Sequence, residues 1–381
     1  MNDVFITNFS VALPNEAVTN DEIEQVLGMV GGKPSRARRI VLRNNGIKAR
    51  YYALDKESGE ITHTNAQLTA EAIQGLVSEN FSIDQIECLA TGSTTPDQLM
   101  PNHGLMVHGE LDIKDCEVIA TSGICLAGMT ALKFAYLGVR ADEYHSAVAT
   151  GSETASHILR ARHFELEAEH RVEELEQQPI LAFHKDFLRW MLSDGAGAAL
   201  LQSKPNSEGI SLRIDWLKCF SYANEIETCM YAGAEKQADG SLNSWLNYSS
   251  DEVQQNSILS PKQDVKLLNN NIIRYTVEKP LEELVPKFDL KADDFDYFLP
   301  HISSCYFKKP LAEGLARAGL PIPEERWFTN LVTKGNTGAA SIYIMLDELF
   351  HSGQLKPGEK LLCFIPESGR FSASFMQLTV V

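Results

Sequence analysis

Three features are missing from this sequence of 381 residues, and each absence argues against a class of protein. No apolar run is long enough to span a membrane, and the first residues lack the basic and then apolar pattern of a secretory signal. The seven cysteines are odd in number and include no C-x-x-C pair, which argues against a disulfide framework and a zinc site. We therefore expect a cytoplasmic protein in a reducing compartment, without membrane insertion.

Basic residues are also scarce: 34 Lys and Arg stand against 51 Asp and Glu, and the net charge is −17. Because phosphate binding needs concentrated basic surface, we expect no nucleic-acid partner. Residues 31–50 run against this trend with seven Lys or Arg and no acid. We interpret the segment either as a solvated basic loop or as a docking face for an acidic carrier protein or a cofactor phosphate. The docking candidates are Arg36, Arg38, Arg39 and Arg43.

Cys125 is the most informative residue that is present. It lies in the small-residue run 121–128, between a strand-like stretch at 116–120 and a helix-like stretch at 129–137. A sulfur at a helix N-terminus meets unpaired amide donors and the positive end of the helix dipole, which favour the nucleophilic thiolate. The sequence therefore predicts a catalytic cysteine, with a buried structural cysteine as the alternative.

His301 and Asn336 occupy similar settings. His301 ends a short apolar strand pattern at 295–301, and Asn336 lies in a small-residue turn at 334–341 that opens an apolar helix. The ends of strands in open α/β sheets face the crevice where ligands bind. Taken singly, these residues fit a core histidine and a turn asparagine, but their common setting indicates a shared site with Cys125.

An internal repeat supports this arrangement. The block 116–153 runs strand, small-residue turn, helix, strand, and the block 328–369 has the same order. A second pair, 86–111 and 295–320, shares a strand, a nearby proline and a helix. The offset of the repeat is far too long for a solenoid and predicts two fused copies of one α/β unit.

Two motifs resemble sites but are interpreted otherwise. The run 194–199 lacks the full dinucleotide-binding glycine pattern, so we predict a buried glycine-rich strand. His301 and Cys305 are one helical turn apart, but no second pair of ligands accompanies them, and we expect no metal.

The order and spacing of these motifs resemble the thiolase-fold condensing enzymes over nearly the whole chain, specifically the ketosynthase III group (β-ketoacyl-acyl-carrier-protein synthase III and relatives). The residues that carry the resemblance are Leu13-Pro14, Thr19-Asn20, Asn45-Gly-Ile47, Thr94-Thr-Pro-Asp97, Cys125 with Gly128, Gly151-Ser-Glu153, Ser193-Asp-Gly-Ala-Gly-Ala-Ala199, Pro300-His301 and Gly335-Asn336-Thr-Gly-Ala-Ala-Ser341.

The resemblance implies an α/β, thiolase-like fold with two pseudo-repeated halves, whose mixed five-stranded sheets form a layered α-β-α-β-α arrangement. The first half, 1–200, would carry Cys125 and a helical insertion at about 154–192. The second half, 201–381, would carry His301 and Asn336. We interpret the insertion as helical material over the acyl entrance or at a dimer interface.

The resemblance also implies the chemistry. Cys125 would carry an acyl group taken from an acyl-carrier-protein or coenzyme A thioester, and His301 and Asn336 would bind the carbonyl of the second thioester. Neutral donors suit an enolate oxygen, which a carboxylate would repel. The family forms homodimers, and by analogy Met100 would reach the partner's acyl pocket; the alternative is a local core methionine. No permanently bound cofactor is expected.

The chain departs from the pattern in its tail, 365–371, where simple family members have a glycine-rich loop. There Glu367 is a candidate second base for a non-decarboxylating or ring-closing condensation, or a carboxylate that faces solvent or pairs with Arg370. Ser304 replaces an Asn near the pantetheine arm, and Ile40 replaces the Trp that stacks on adenine, which weakens the case for coenzyme A as donor. The tail resembles that of the dialkylresorcinol-forming ketosynthases.

We therefore expect an enzyme that loads an acyl group on Cys125 and then forms a carbon-carbon bond with a malonyl- or β-ketoacyl-thioester, in fatty acid or polyketide-type biosynthesis. Three alternatives remain open from the sequence. They are an acyltransferase of the same fold that acts on a hydroxyl or amine, a Cys-His-Asn hydrolase, and a non-catalytic partner subunit.

Overall fold

A computed structural model describes residues 2–35, 38–170 and 187–381, with side chains except at 168–170. The strands are β1 (Phe5–Ala12), β2 (Val18–Thr19), β3 (Ala49–Arg50), β4 (Cys88–Ser93), β5 (Glu117–Thr121), β6 (Ser146–Glu153), β7 (Gly195–Gln202), β8 (Leu212–Ser221), β9 (Met230–Tyr231), β10 (Ala234–Lys236), β11 (Leu242–Ser244), β12 (Lys262–Gln263), β13 (Tyr297–Pro300), β14 (Lys360–Pro366) and β15 (Ser372–Val380). The helices are α1 (Ile23–Leu27), α2 (Arg38–Asn45), α3 (Asn65–Gln74), α4 (His103–Glu110), α5 (Ala127–Arg140), α6 (Ser156–Leu159), α7 (Glu165–His170), α8 (Ser250–Gln255), α9 (Val265–Ile273), α10 (Lys279–Phe288), α11 (Lys308–Arg317), α12 (Leu331–Lys334) and α13 (Ser341–Phe350).

Nine strands form one mixed sheet in the order β13-β14-β15-β8-β1-β7-β6-β4-β5. The two halves meet edge to edge where Phe5 and Ile6 of β1 pair with Arg213 and Leu212 of β8. Outward from this seam, the order β1-β7-β6-β4 in the first half matches β8-β15-β14-β13 in the second. The predicted α/β fold and its internal repeat are therefore confirmed.

The fifth strand position differs between the halves. The first half has β5 at its edge, whereas the second half has only an isolated parallel bridge between Phe298 and Trp327. Pro321 and Pro323 precede this bridge, and a proline has no backbone N–H to give to a ladder. The second half therefore has four strands and a bridge rather than five full strands.

Alternation along the strands builds the layers. In β7, Ala198 and Leu200 belong to an apolar cluster with α3 and α4, while Ala199 and Leu201 belong to a central cluster that includes residues of α5 and α13. In β14, Phe364 faces a third cluster formed with α10 and α11. Because successive side chains of a strand point to opposite faces, these clusters define the layers α-β-α-β-α.

The helices α5 and α13 form the central layer. Seven of the ten residues of α13 are buried, as expected for a helix covered on all sides. The N-termini of α13 and α5 lie side by side in the central layer. Tyr343 Oη, in the first turn of α13, donates to the carbonyl oxygen of Gly128 in α5 at 2.8 Å. No helix among the described residues has the length and apolar character needed to cross a membrane.

Candidate active site

Cys125 lies in a single 3₁₀ turn, Ile124–Leu126, between the end of β5 and the start of α5. The turn is reached through Gly123 at φ 129° and Ile124 at φ 50°, and positive φ is unusual for a β-branched residue. Backbone strain of this kind persists only where surrounding structure enforces it, and it concentrates at functional sites. The predicted position of Cys125 at a helix start is confirmed.

The surroundings of the Cys125 sulfur do not favour its thiolate. Burial raises the pKa of the Cys125 thiol, and the negative charges of Glu153 and Glu367 raise it further. These effects oppose the predicted stabilisation of a thiolate by the helix start, which stays a prediction. Reaction at this sulfur requires a group that accepts the proton.

His301 follows β13 directly, and its backbone N–H donates to the carbonyl oxygen of Phe364 at 2.8 Å. The side chain is buried, and burial lowers the pKa of His301 to about 4. The imidazole is therefore neutral near pH 7, with one ring N–H available as a donor.

Asn336 is anchored through its backbone: its N–H donates to Met191 O at 3.1 Å, and its carbonyl oxygen accepts from Ser193 N at 2.8 Å. Its side-chain Oδ1 accepts from Gly338 N at 3.0 Å. Because Oδ1 and Nδ2 lie on opposite sides of the amide, this bond directs Nδ2 away from the turn. The residue supplies a neutral N–H donor in a fixed orientation.

Two apolar cavities meet at Cys125 and Asn336, which both line each of them. Each encloses about 690 Å³ including its open mouth. His301 belongs to the first cavity, whose other walls include Met191, Ile272, Val277, Phe307 and Leu311. The walls of the second include Ala155, Ile158, Tyr231, Ala232 and Pro261.

The segment predicted as a helical insertion contributes to both cavities. Ala155 and Ile158 near its start line the second cavity, and Leu188 and Met191 near its end line the first. Residues 171–186 lie outside the described part of the chain, so the insertion as a whole stays a prediction. The described ends agree with a position beside the acyl cavities.

Glu153 is a buried carboxylate that the sequence reasoning did not select as a site residue. It ends β6 and lines the second cavity together with Cys125 and Asn336. The sequence feature that could have identified Glu153 is its position at the end of a strand, which is also the feature that identified His301. The motif Gly151-Ser-Glu153 was used only for the family resemblance.

Glu367 is close to Cys125 but does not line either cavity, although its neighbours Pro366 and Ser368 line the first. The side chain is buried, so it does not face solvent, and the Arg370 guanidinium donates to Ile226 O rather than pairing with this carboxylate. Its oxygens accept from Gly369 N and from Ser372 N and Oγ, the last two at 3.1 and 3.0 Å. These bonds close the tail turn, and the base role of Glu367 stays a prediction.

Met100 is 85% exposed and lines neither cavity of its own chain. Leu99 beside it is 80% exposed. The alternative of a local core methionine is therefore wrong, and the contact with a partner's pocket stays a prediction.

The predicted docking residues separate into different environments. Arg39 and Arg43 are exposed, whereas Arg36 lies outside the described residues. Arg38 is part-buried: its Nη1 donates to Glu24 and its Nη2 donates to Asn20 O, both at 2.8 Å, and its docking role stays a prediction. Its charge is used within the chain.

The predicted cofactor contact of Ser304 also stays a prediction. Ser304 is buried, and its Oγ accepts from Tyr306 N at 3.2 Å at the start of a 3₁₀ turn. Its neighbour Ser303 lines the first cavity instead. Within 2–35, 38–170 and 187–381, no cluster of three or more His, Cys, Asp or Glu side chains could hold a metal ion.

Comparison with known proteins agrees with this architecture. Residues 286–368 match the family model described as 3-oxoacyl-[acyl-carrier-protein (ACP)] synthase III C terminal. The β-ketoacyl-[acyl-carrier-protein] synthase III of Clostridium perfringens is 23% identical over an alignment of 374 residues. The alignment covers 95% of each chain.

Solved structures share the fold over almost the entire chain. The tetronic acid condensing enzyme AbyA1 superposes with a TM-score of 0.74 at 20% identity, covering 99% of both chains. Xanthomonas campestris OleA, solved with lauric acid and lauroyl-CoA, gives a TM-score of 0.72 at 19% identity, again covering 99% of both. The thiolase-like fold and the resemblance inferred from the motifs are confirmed.

Proposed function

We propose that this relative of the ketosynthase III enzymes is an acyl-thioester condensing enzyme of fatty acid or polyketide-type biosynthesis. Cys125 accepts an acyl group from a thioester and holds it at the junction of the two cavities. A second thioester then supplies an enolate, which attacks the acyl carbon; the new carbon-carbon bond replaces the bond to sulfur, and Cys125 is released.

His301 and Asn336 stabilise the enolate in this proposal. A malonyl-type extender forms its enolate by losing carbon dioxide, and a β-ketoacyl thioester forms it by losing a proton. In either case the thioester oxygen gains negative charge, which two neutral N–H donors stabilise. The lowered pKa of His301 supports this role, because the neutral ring is the dominant form at the pH of the cell.

The shape of the site indicates the class of substrate. Two separate apolar cavities share the reactive sulfur and the amide of Asn336, so each can hold one acyl chain. We propose that both condensing partners carry apolar chains. This double cavity is the observation that carries the proposed function: an acyltransferase acting on a small hydroxyl or amine, or a hydrolase, needs only one such cavity and a path for the acceptor.

The partners follow from the same proposal. Acyl groups arrive on an acyl carrier protein, for which the exposed Arg39 and Arg43 form a docking surface. The exposed Leu99 and Met100 form part of a contact between two copies of the chain. All seven cysteines are free, which suits the reducing cytoplasm that we propose as the compartment.

The decisive experiment measures acyl loading. The protein is incubated with carrier-protein and coenzyme A thioesters of different chain lengths, and its intact mass is recorded. We expect apolar acyl chains to add one acyl mass, and Cys125→Ala to abolish this addition. Loading that persists in the Cys125→Ala variant, or loading that no thioester produces, would contradict the proposed function.

A further inference from the structure

Glu153 is a buried carboxylate that lines a cavity with Cys125 and has no role in the proposed function. Thr95 Oγ1 donates to its Oε2 at 2.7 Å, and Thr94 N donates to its Oε1 at 3.1 Å. The buried carboxylate thus lies in the wall of the second cavity with both oxygens held by neutral donors, and Cys125 lines the same cavity.

The Cys125 thiol must lose its proton before it can attack a thioester, because the thiolate is the nucleophile. His301 shares the first cavity with Cys125, but burial lowers the pKa of His301 to about 4, which makes the imidazole a poor acceptor for this proton. Glu367 lines neither of the two cavities that contain Cys125. Among the described groups around the sulfur, Glu153 remains as the carboxylate that shares a cavity with it.

We infer that Glu153 is the proton acceptor and donor of acyl loading. This inference rests on the proposed function. The Cys125 S–H proton passes to the Glu153 carboxylate, and the sulfur attacks the acyl carbon of the incoming thioester. The new C–S bond forms, the bond from the acyl carbon to the carrier sulfur breaks, and the carrier sulfur takes the proton from Glu153. The carboxylate is restored, and no other reactant is needed.

The environment of Glu153 suits a group that takes and returns a proton. Burial raises its pKa to about 7, and the donors Thr95, Thr94 and Ala339 N limit that rise. A proton shuttle works best when its pKa is near the operating pH. The other titratable side chains that line the second cavity are Cys125 from the turn before α5 and Tyr231 from β9, and the charge of Glu367 also acts on the Cys125 sulfur.

Glu153→Gln tests the inference, because the amide cannot take the proton. The amide keeps an acceptor oxygen for one of the two threonine donors, and its NH2 group meets the other. Two readouts are followed by intact mass between pH 6 and 9: acyl loading, and alkylation of Cys125 by iodoacetamide without any thioester. In the wild-type protein we expect both rates to rise through an apparent pKa near 7. In Glu153→Gln we expect loading at pH 7 to fall by about 100-fold, and the rise near pH 7 to disappear.

Glu367→Gln is the matched comparison, since it removes the other negative charge that acts on Cys125. If both carboxylates only repel the thiolate, both variants react with iodoacetamide faster than the wild type at every pH. That result for Glu153→Gln would overturn the inference. The alkylation readout needs no acyl substrate, so it separates a failure of this inference from a failure of the proposed function.

Thr95→Val provides a second variant with Glu153 intact. Loss of the Thr95 donor raises the pKa of Glu153, so the rise in alkylation and loading is expected to move to higher pH. A profile that stays where the wild type has it, in a folded variant, would assign the wild-type rise to another group and overturn the inference.

Discussion

At the scale of single residues, the neutral donors His301 and Asn336 distinguish the two steps of the proposed reaction, acyl loading and carbon-carbon bond formation. In the proposed function, acyl loading needs the sulfur and its proton acceptor, whereas carbon-carbon bond formation also needs His301 and Asn336. Asn336 is well suited to a test, because its backbone bonds to Met191 and Ser193 survive any change of its side chain.

Asn336→Ala should leave acyl loading of Cys125 close to the wild-type rate and slow carbon-carbon bond formation by about 100- to 1000-fold, because one preorganised donor is lost. Loading is measured by intact mass and condensation by product release. Asn336→Asp is the matched control: it keeps an acceptor for Gly338 N but places negative charge by the enolate, so condensation should be at least as slow. Equal losses in loading and condensation would refute the division of roles.

At the residue scale, the sequence identified some residues of the two cavities and not others. Cys125, His301 and Asn336 were predicted from small-residue turns and strand ends, and the chain brings them to one pair of cavities. The sequence favours Glu367 as a site residue because the tail 365–371 departs from the family pattern, whereas Glu153 belongs to a motif that agrees with the pattern. In the structure Glu153 lines the second cavity, whereas the oxygens of Glu367 accept hydrogen bonds from Gly369 N and Ser372 N in the tail turn.

At the scale of elements, the site depends on the close approach of α5 and α13. A Cβ on Gly128 would lie 2.5 Å from Ala339 O and 2.9 Å from Tyr343 Cε2, and one on Gly151 would lie 2.1 Å from Ala339 O. No side chain fits at these distances without displacement of backbone. The glycines therefore set the distance between the helix start that carries Cys125 and the turn that carries Asn336.

Gly128→Ala should lower the free energy of unfolding by roughly 1–3 kcal/mol, because the added methyl group forces α5 and α13 apart. Condensation should slow as well, since Cys125 and Asn336 lie on either side of the displaced contact. Urea denaturation measures the first effect and product release the second.

Gly109→Ala in α4 is the control, since a Cβ there meets no atom within 4 Å. Alanine at this exposed helical position should raise stability by roughly 0.5–1 kcal/mol at most. If Gly128→Ala were as stable as Gly109→Ala, the close approach of the two helices would not be required.

At the scale of the whole molecule, charge is distributed unevenly. The net charge of −17 would repel an acidic carrier protein, so docking needs a local reversal of sign. The basic segment 31–50 offers this reversal, but less broadly than its composition indicates. Arg38 pairs with Glu24, and Arg50 is buried with Nη1 donating to Asn20 at 2.7 Å, which leaves Arg39 and Arg43 as the exposed predicted contacts.

Reversal of both charges, Arg39→Glu with Arg43→Glu, should raise the KM for carrier-bound acyl groups by about tenfold at low salt, because electrostatic steering is lost. The KM for a short acyl thioester mimic should not change, and the effect should shrink as salt is added. Lys356→Glu, at an exposed position outside the segment, serves as the control. Equal changes for the carrier-bound substrate and the mimic would exclude a docking surface.

Much of the fold could be predicted from the sequence, since it is written in local patterns. The order of strands and helices in the two blocks repeats along the chain, so the doubled α/β unit could be inferred before any contact was known. The glycine-rich run at 194–199 was likewise recognised as a strand and is part of β7. The fifth strand predicted for the second half is reduced to the bridge between Phe298 and Trp327, and strand pairing between separate segments is decided by tertiary contacts.

The sequence by itself determined which chemical groups are available: one cysteine at a helix start, a histidine at a strand end and an asparagine in a turn. Only the tertiary structure decided how they meet. Burial sets the protonation of Cys125, His301 and Glu153, and burial is a sum over contacts between segments far apart in the chain. The two cavities arise in the same way, because their walls come from both halves and close around the sulfur only after the halves have packed.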